Sequence, residues 1–283
     1  MISYLNGKFL KKNDIYISPD DRGFLMSDGI YEVIRSYQGH LFQSQQHIHR
    51  LNAGADALQF KQTNFEVLIE IAEELIKINN LSHKDSTVYM QITRGSVPRS
   101  HRFPSLETPL TIYVDTKEFF PKMEEIKNGV SAILVPDQRW CRCNIKSISL
   151  LANTMAHQQA IESGAQEAIF LRNGFLTEGS HTNVFLVKNN IVITPPKSNY
   201  ILSGITREVL LDCCHDLHIP VEERPVVEKE LFEADELMIV GTTVEVTPVI
   251  KLNHQTINKG TSGLITTKLY EHFKTTKLYH DQQ

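Results

Sequence analysis

The chain has 283 residues, 41% of them hydrophobic and 22% charged, with a net charge of −4 and a pI near 6.3. That balance suits a globular protein with real cores and excludes a basic footprint for nucleic acid or an anionic membrane. No run reaches the roughly 18–20 apolar residues of a membrane span, and MISYLNGKFLKKND at the start lacks a signal peptide's apolar core. The expected location is therefore cytoplasmic.

The first clear element is FEVLIEIAEELIKINN (65–80). Phe65, Leu68, Ile69, Ala72, Leu75 and Ile76 follow helical spacing, with carboxylates facing away. TVYMQITR (87–94) and PLTIYVDT (109–116) read as strands around an irregular loop. The proline in EFFPKM (118–123) marks a linker between a small domain, 1–117, and a larger one, 124–283. GVSAILVP (129–136) is a further strand. NIKSISLLANTMAHQQA (144–160) then places Lys146 ahead of an amphipathic helix that Gly164 ends.

Two hairpins come next, one turning at Asn173-Gly174 and the other at Asn189-Asn190. SGITREVLLDCCHDLHIP (203–220) is a helix opened by Gly204 and closed before Pro220. DELMIVGTT (235–243) is a buried strand running into a small-residue loop, and a last helix lies near 262–274. Helices and strands mix in both halves without regular βαβ alternation, which favours two α+β domains.

Cys141/Cys143 and Cys213/Cys214 have neither metal nor redox spacing, so reduced thiols are expected. The histidines are scattered, and His47 and His49, two apart, do not share a helical face. No metal site is expected.

Several residues carry possible chemistry. A lysine that forms a Schiff base must shed its proton near neutral pH, although its free pKa is about 10.4. Ile145, Ile148, Leu150 and Leu151 around Lys146 are the apolar company that favours this, though a surface lysine at a helix entrance reads the same way. Glu178 in FLTEGSHTNVF ends a strand. It is either solvated or placed to face a pyridine nitrogen, with Thr182 and Asn183 offering further hydrogen bonds. In ILSGITRE the amides of Ile205 and Thr206 head a helix and the Thr206 hydroxyl adds a donor, which makes an anion site or an ordinary cap. GTT (241–243) is a second hydroxyl-rich turn, and Arg50 in HIHRL would pair with a phosphate. An aldehyde, a ring nitrogen and a phosphate together describe one ligand, pyridoxal 5'-phosphate.

The series DRGFLMSDGIYEVIR, HIHRL, RGSVPRSHRFP, RWCRCNIKSISLLAN, LTEGSHTNVF, ILSGITRE and GTTVEVTPV resembles the fold type IV pyridoxal-phosphate enzymes, above all the bacterial D-amino-acid aminotransferases. The resemblance spans about residues 3–274. It implies a two-domain α+β fold with a small N-terminal domain, a larger C-terminal pseudo-barrel domain and the cofactor in the cleft between them. Lys146 would be the catalytic Schiff-base residue. Glu178, Arg50, Leu202, Ile205, Thr206, Gly241 and Thr242 would hold the cofactor.

The discriminating loop is PRSHRFP (98–104). By resemblance its R-x-H pair, Arg99 and His101, grips the substrate α-carboxylate together with Tyr31, reaching the site across a homodimer interface. Residues two apart in an extended chain point the same way, and the flanking prolines disfavour a helix. The implied reaction moves the amino group of a D-amino acid to 2-oxoglutarate in a ping-pong cycle, giving pyruvate and D-glutamate when the donor is D-alanine. A branched-chain L-amino-acid aminotransferase or an aminodeoxychorismate lyase is the alternative on the same fold. The chain departs from the family pattern at Phe24, Ser27, Asn144, His181 and Gly241, which bears on substrate preference and cofactor affinity.

Overall fold

The computed structural model describes residues 1–279; residues 280–283 of the expected second domain lie outside the described residues. The chain divides into two compact units, 1–120 with 145–150, and 121–144 with 151–283.

The first unit contains β1 (Ile2–Leu5), β2 (Lys8–Lys11), α1 (Arg22–Met26), β3 (Gly29–Tyr37), β4 (His40–Leu41), α2 (Ser44–Ala57), α3 (Val67–Ile78), β5 (Ser86–Thr93) and β6 (Thr111–Glu118). Its six strands form one antiparallel sheet in the order β2-β1-β6-β5-β3-β4. In β5, Val88, Met90 and Ile92 are buried while Thr87, Tyr89 and Gln91 are only partly covered, the period of two of a half-buried strand. α2 and α3 lie on the apolar face. Leu68, Ala72, Leu75 and Ile76 of α3 join Ile34, Leu51, Val88 and Met90 in its core. Each buried Leu or Ile contributes about 1.5–3 kcal/mol before entropy is counted.

The second unit adds α4 (Met123–Asn128), β7 (Val130–Pro136), α5 (Leu151–Glu162), β8 (Glu167–Arg172), β9 (Phe175–Gly179), β10 (Asn183–Lys188), β11 (Ile191–Thr194), α6 (Ile205–Asp216), β12 (Val221–Glu223), α7 (Glu228–Phe232), β13 (Glu236–Gly241), β14 (Glu245–Leu252), β15 (Gln255–Thr256) and α8 (Leu264–Tyr279). The sheet runs β12-β11-β10-β13-β14-β7-β8-β9, with β15 on β14, and mixes parallel with antiparallel pairs. Asn173 and Gly174 both have positive φ, as do Asn189 and Asn190, so both hairpins turn where their side chains tolerate the left-handed region.

The quoted helix differs from its expectation. It begins only at Leu151, and its large apolar residues Leu151 (75% exposed), Met155 and Ile161 point away from the core. Ala156 and Ala160 instead face Val135, Ala168 and Phe170, because small side chains let the helix lie close on the sheet. Among the described residues no helix is long and apolar enough to cross a membrane.

Candidate active site

In the first unit, residues 145–150 run beside the start of β3. Ile30 and Ser147 bridge, Tyr31 N–H donates to the Lys146 carbonyl at 3.0 Å, and Ile148 N–H donates to the Gly29 carbonyl at 3.1 Å. Glycine is needed at 29: a Cβ there would stand 2.8 Å from both Ile148 Cδ1 and the Ile92 carbonyl. Lys146 is half-buried, between the buried Ile145 and Ser147, and its Nζ lies 4.4 Å from the centroid of the Tyr31 ring. Among the described residues no carboxylate pairs with it, so the amine is held over an aromatic face without a counter-ion.

Glu32, next along β3, is fully buried. Arg50 Nε and Nη2 donate to its two oxygens at 2.7 and 2.8 Å, and His47 Nδ1 lies 2.7 Å from Oε2. Burial alone would raise the Glu32 carboxyl. Arg50 and His47 outweigh it and hold the group well below the usual carboxylate range. Burial also lowers the His47 imidazole, against the pull of Glu32, and the Lys146 charge adds to the lowering.

In the second unit Glu178, at the end of β9, is buried as well. Arg139 Nη1 donates to its Oε1 at 2.5 Å; Asn183 Nδ2 and Leu202 N–H donate to Oε2 at 3.2 and 2.9 Å. A carboxylate has about four acceptor positions, so three donors leave room for one more. Burial pushes its pKa up to about 7, while Arg139 pulls the other way. Arg139 is itself shared: it grips Asp137 through Nε and Nη2, both at 2.9 Å, and donates to the Tyr200 carbonyl at 3.1 Å. Burial works against the Asp137 charge, but hydrogen bonds from Arg139 and Arg172 hold that carboxyl below its ordinary value.

Asn183 links Glu178 to the start of α6. Its Nδ2 also donates to the Leu202 carbonyl at 2.9 Å, and a Cβ on Gly204 would stand 2.1 Å from its Oδ1. Gly204 is the N-cap of α6, and no side chain caps the first turn. Thr206, in that first turn, is buried. The helix start thus presents donors and a positive dipole end to an anion. Gly241 ends β13 close to the 181–182 segment, where a Cβ would lie 3.5 Å from the His181 carbonyl. Within the second unit, the chemistry of a buried carboxylate with an acceptor position left and of an uncapped helix start suits a ring nitrogen and a phosphate.

Residues 29–252 match the model of the class IV amino-transferases. The chain belongs to that family. It is 38% identical over 271 residues to the D-alanine aminotransferase of Staphylococcus haemolyticus, covering 95% of each chain. It is 40% identical over 263 residues to that of Bacillus licheniformis, covering 92% of each. The branched-chain amino acid aminotransferase of Escherichia coli superposes with a TM-score of 0.91 at 24% identity, over 98% of this chain and 94% of that one. The branched-chain aminotransferase of Thermoproteus uzoniensis, solved with norvaline, gives 0.85 at 25% identity, over 100% and 96%. The α+β, fold type IV architecture expected from the motifs is the one observed.

Within this class IV aminotransferase the expected residues fall into two groups. Tyr31, Lys146 and Arg50 lie in the first unit, with Arg50 turned onto Glu32. Glu178, Leu202, Ile205, Thr206, Gly241 and Thr242 lie in the second, where Glu178, Leu202 and Gly204 meet through Asn183. Arg99 and His101 are exposed, and the chain bends at 98–99 and again at 101–102 in place of the expected extended run. The backbone there is tied to the core instead: Arg22 Nη1 donates to the Ser100 and Arg102 carbonyls at 2.6 and 3.2 Å, and its Nε to Asp28 at 2.7 Å. Arg94 also pairs with Asp28 and lies 3.9 Å from the Phe103 ring centroid. Sequence reasoning missed Arg139, Asp137, Glu32 and Arg22. Only their place inside the quoted or neighbouring motifs signalled them, since an isolated arginine or carboxylate reads as surface.

Proposed function

We propose that the chain is a D-amino-acid aminotransferase that uses pyridoxal 5'-phosphate to move the amino group of a D-alanine-type donor to 2-oxoglutarate, leaving pyruvate and D-glutamate. The observation that carries this reading is the half-buried Lys146 amine without a carboxylate partner among the described residues. It occurs in a chain 38–40% identical to D-alanine aminotransferases over more than nine-tenths of its length.

When bound, the cofactor supplies an aldehyde for an amine and a ring that accepts the charge left as the α-proton departs. Lys146 Nζ would hold that aldehyde and, as the free amine once the substrate's amino group has taken its place, would be the base that moves the α-proton. Glu178 keeps a proton on the ring nitrogen, and Arg139 and Asn183 keep Glu178 in place. The amides of Ile205 and Thr206, the Thr206 and Thr242 hydroxyls, Gly241 and Arg50 hold the phosphate, with Leu202 beside the ring. Tyr31, Arg99 and His101 hold the substrate carboxylate, and the side on which they do so selects the D hand, because the α-hydrogen must face the lysine.

The working form is a homodimer in the cytoplasm, with residues 118–123 linking domains 1–117 and 124–283. Exposed Leu151 and Met155, one turn apart on α5, favour a second copy, and four free cysteines suit a reducing compartment. The test is a substrate panel on purified protein with 2-oxoglutarate as acceptor. D-alanine turns over, L-valine and aminodeoxychorismate do not, and Lys146→Ala removes both turnover and the cofactor's lysine-linked absorption. Turnover of L-valine without D-alanine would overturn the assignment.

A further inference from the structure

Spacing along the chain predicts no metal site, yet the fold of the second unit brings three metal-ligating groups together from three elements: His157 on α5, Glu167 at the start of β8, and His181 between β9 and β10. One ligand atom from each lies within 4.8 Å of the others. The two imidazole rings stand perpendicular with centroids 5.0 Å apart, and His181 Nδ1 is 3.3 Å from Glu167 Oε2. We propose that His157, Glu167 and His181 bind a divalent transition-metal ion of the zinc class, with the remaining coordination position open to solvent beside His181.

The donor set argues for the class of ion. Two imidazole nitrogens and one carboxylate oxygen suit zinc and its neighbours, whereas magnesium and calcium take oxygen donors. The carboxylate is already oriented. Ser180 Oγ and Ala168 N–H donate to Glu167 Oε1 at 2.5 and 2.8 Å, and Thr182 Oγ1 donates to Oε2 at 2.8 Å. Such outer partners fix a ligand's direction and raise affinity. Glycine at 179 is part of the arrangement, since a Cβ there would stand 2.1 Å from Thr182 Oγ1 and 3.0 Å from Glu167 Oε2.

Glu167 is fully buried, and the imidazole of His181, a half-exposed histidine, stands 3.3 Å from its Oε2. A cation would neutralise this carboxylate more completely than that imidazole. Metal bonds of about 2.0–2.2 Å require the three ligand atoms to draw closer, and His181, whose side chain is 46% exposed, has room to turn. The ion would tie α5 to the segment between Glu178 and Asn183, where Asn153 Nδ2 already donates to the Ser180 carbonyl at 2.8 Å.

The inference does not depend on the transamination reading and is tested without an activity assay. Metal-stripped holoenzyme is dialysed against Zn2+, and against Co2+ as a spectroscopic probe, with the bound metal counted by elemental analysis. One ion per chain is expected, with visible Co2+ bands of nitrogen and oxygen ligands. His157→Ala and His181→Ser, both at partly exposed positions and checked for folding by circular dichroism, should each weaken binding at least about tenfold. No retained ion, uptake unchanged in both variants, or a sulfur-to-metal band placing the ion on Cys141 and Cys143 would each overturn the proposal.

Discussion

Glu32 and Glu178 are both buried carboxylates that meet an arginine, yet they are held in opposite states. Glu32 has Arg50 across both oxygens and His47 beside them, and it stays ionised far below the usual range. Glu178 has one edge of Arg139, whose other edge belongs to Asp137, and burial carries it up to about 7. Burial also opposes the charge of Arg139, but Asp137 and Glu178 together raise it above its ordinary value. An arginine shared between two carboxylates serves the second incompletely, whereas an arginine and a histidine given to one carboxylate secure it. The first arrangement leaves a carboxyl responsive to a new neighbour, which is what the role proposed for Glu178 requires. The second makes a rigid floor under β3.

The largest expected effect tests that floor. Glu32→Ala strands Arg50 and His47 in the interior and should cost about 3–5 kcal/mol of unfolding free energy in urea titrations. A loss under about 1 kcal/mol would break the comparison. Glu178→Gln should show the reverse profile, with a small change in stability but transamination lower by on the order of 10²–10³-fold.

pH separates the two groups next. The raised pKa of Glu178 means that the folded chain binds its proton more tightly than the unfolded chain does. Its stabilising contribution is therefore present below its ordinary value of 4.5 and is lost as pH rises to about 7. The depressed Glu32 acts oppositely, stabilising above 4.5 and failing only as pH falls below it. Denaturation of the cofactor-free protein across pH 4.5–7 should show a downward slope, worth at most about 3 kcal/mol, that Glu178→Gln flattens.

The smallest effect concerns Asp137, to which Thr177 Oγ1 donates at 3.0 Å. Thr177→Val should cost about 0.5–1.5 kcal/mol. It should also lower kcat slightly by turning Arg139 further toward Asp137, with the Glu32 cluster undisturbed.

Much of the backbone was legible because its causes are local. Asn173-Gly174 turns where both residues accept positive φ, and the 3.6-residue spacing of Leu68, Ala72, Leu75 and Ile76 appears as α3. The start of α6 at Gly204 was legible for the same reason. Local spacing misled at α5, where apolar Leu151 and Met155 face outward and two alanines make the contact. It misled again at 98–102, where Arg22, nearly eighty residues away, holds the backbone in bends.

By itself, then, the amino-acid order determined the turns, most helices and strands, and the set of residue types that marks a class IV aminotransferase. The tertiary structure alone decided which charges became neighbours: Arg139 with Glu178, Arg50 with Glu32, His157 with Glu167 and His181. Backbone preferences act over a few residues and leave a pattern in the chain. Coulombic and hydrogen-bond contacts act over a few ångströms of space, and residues 10 to 39 apart along the chain carry no sign of that closeness until the fold is formed.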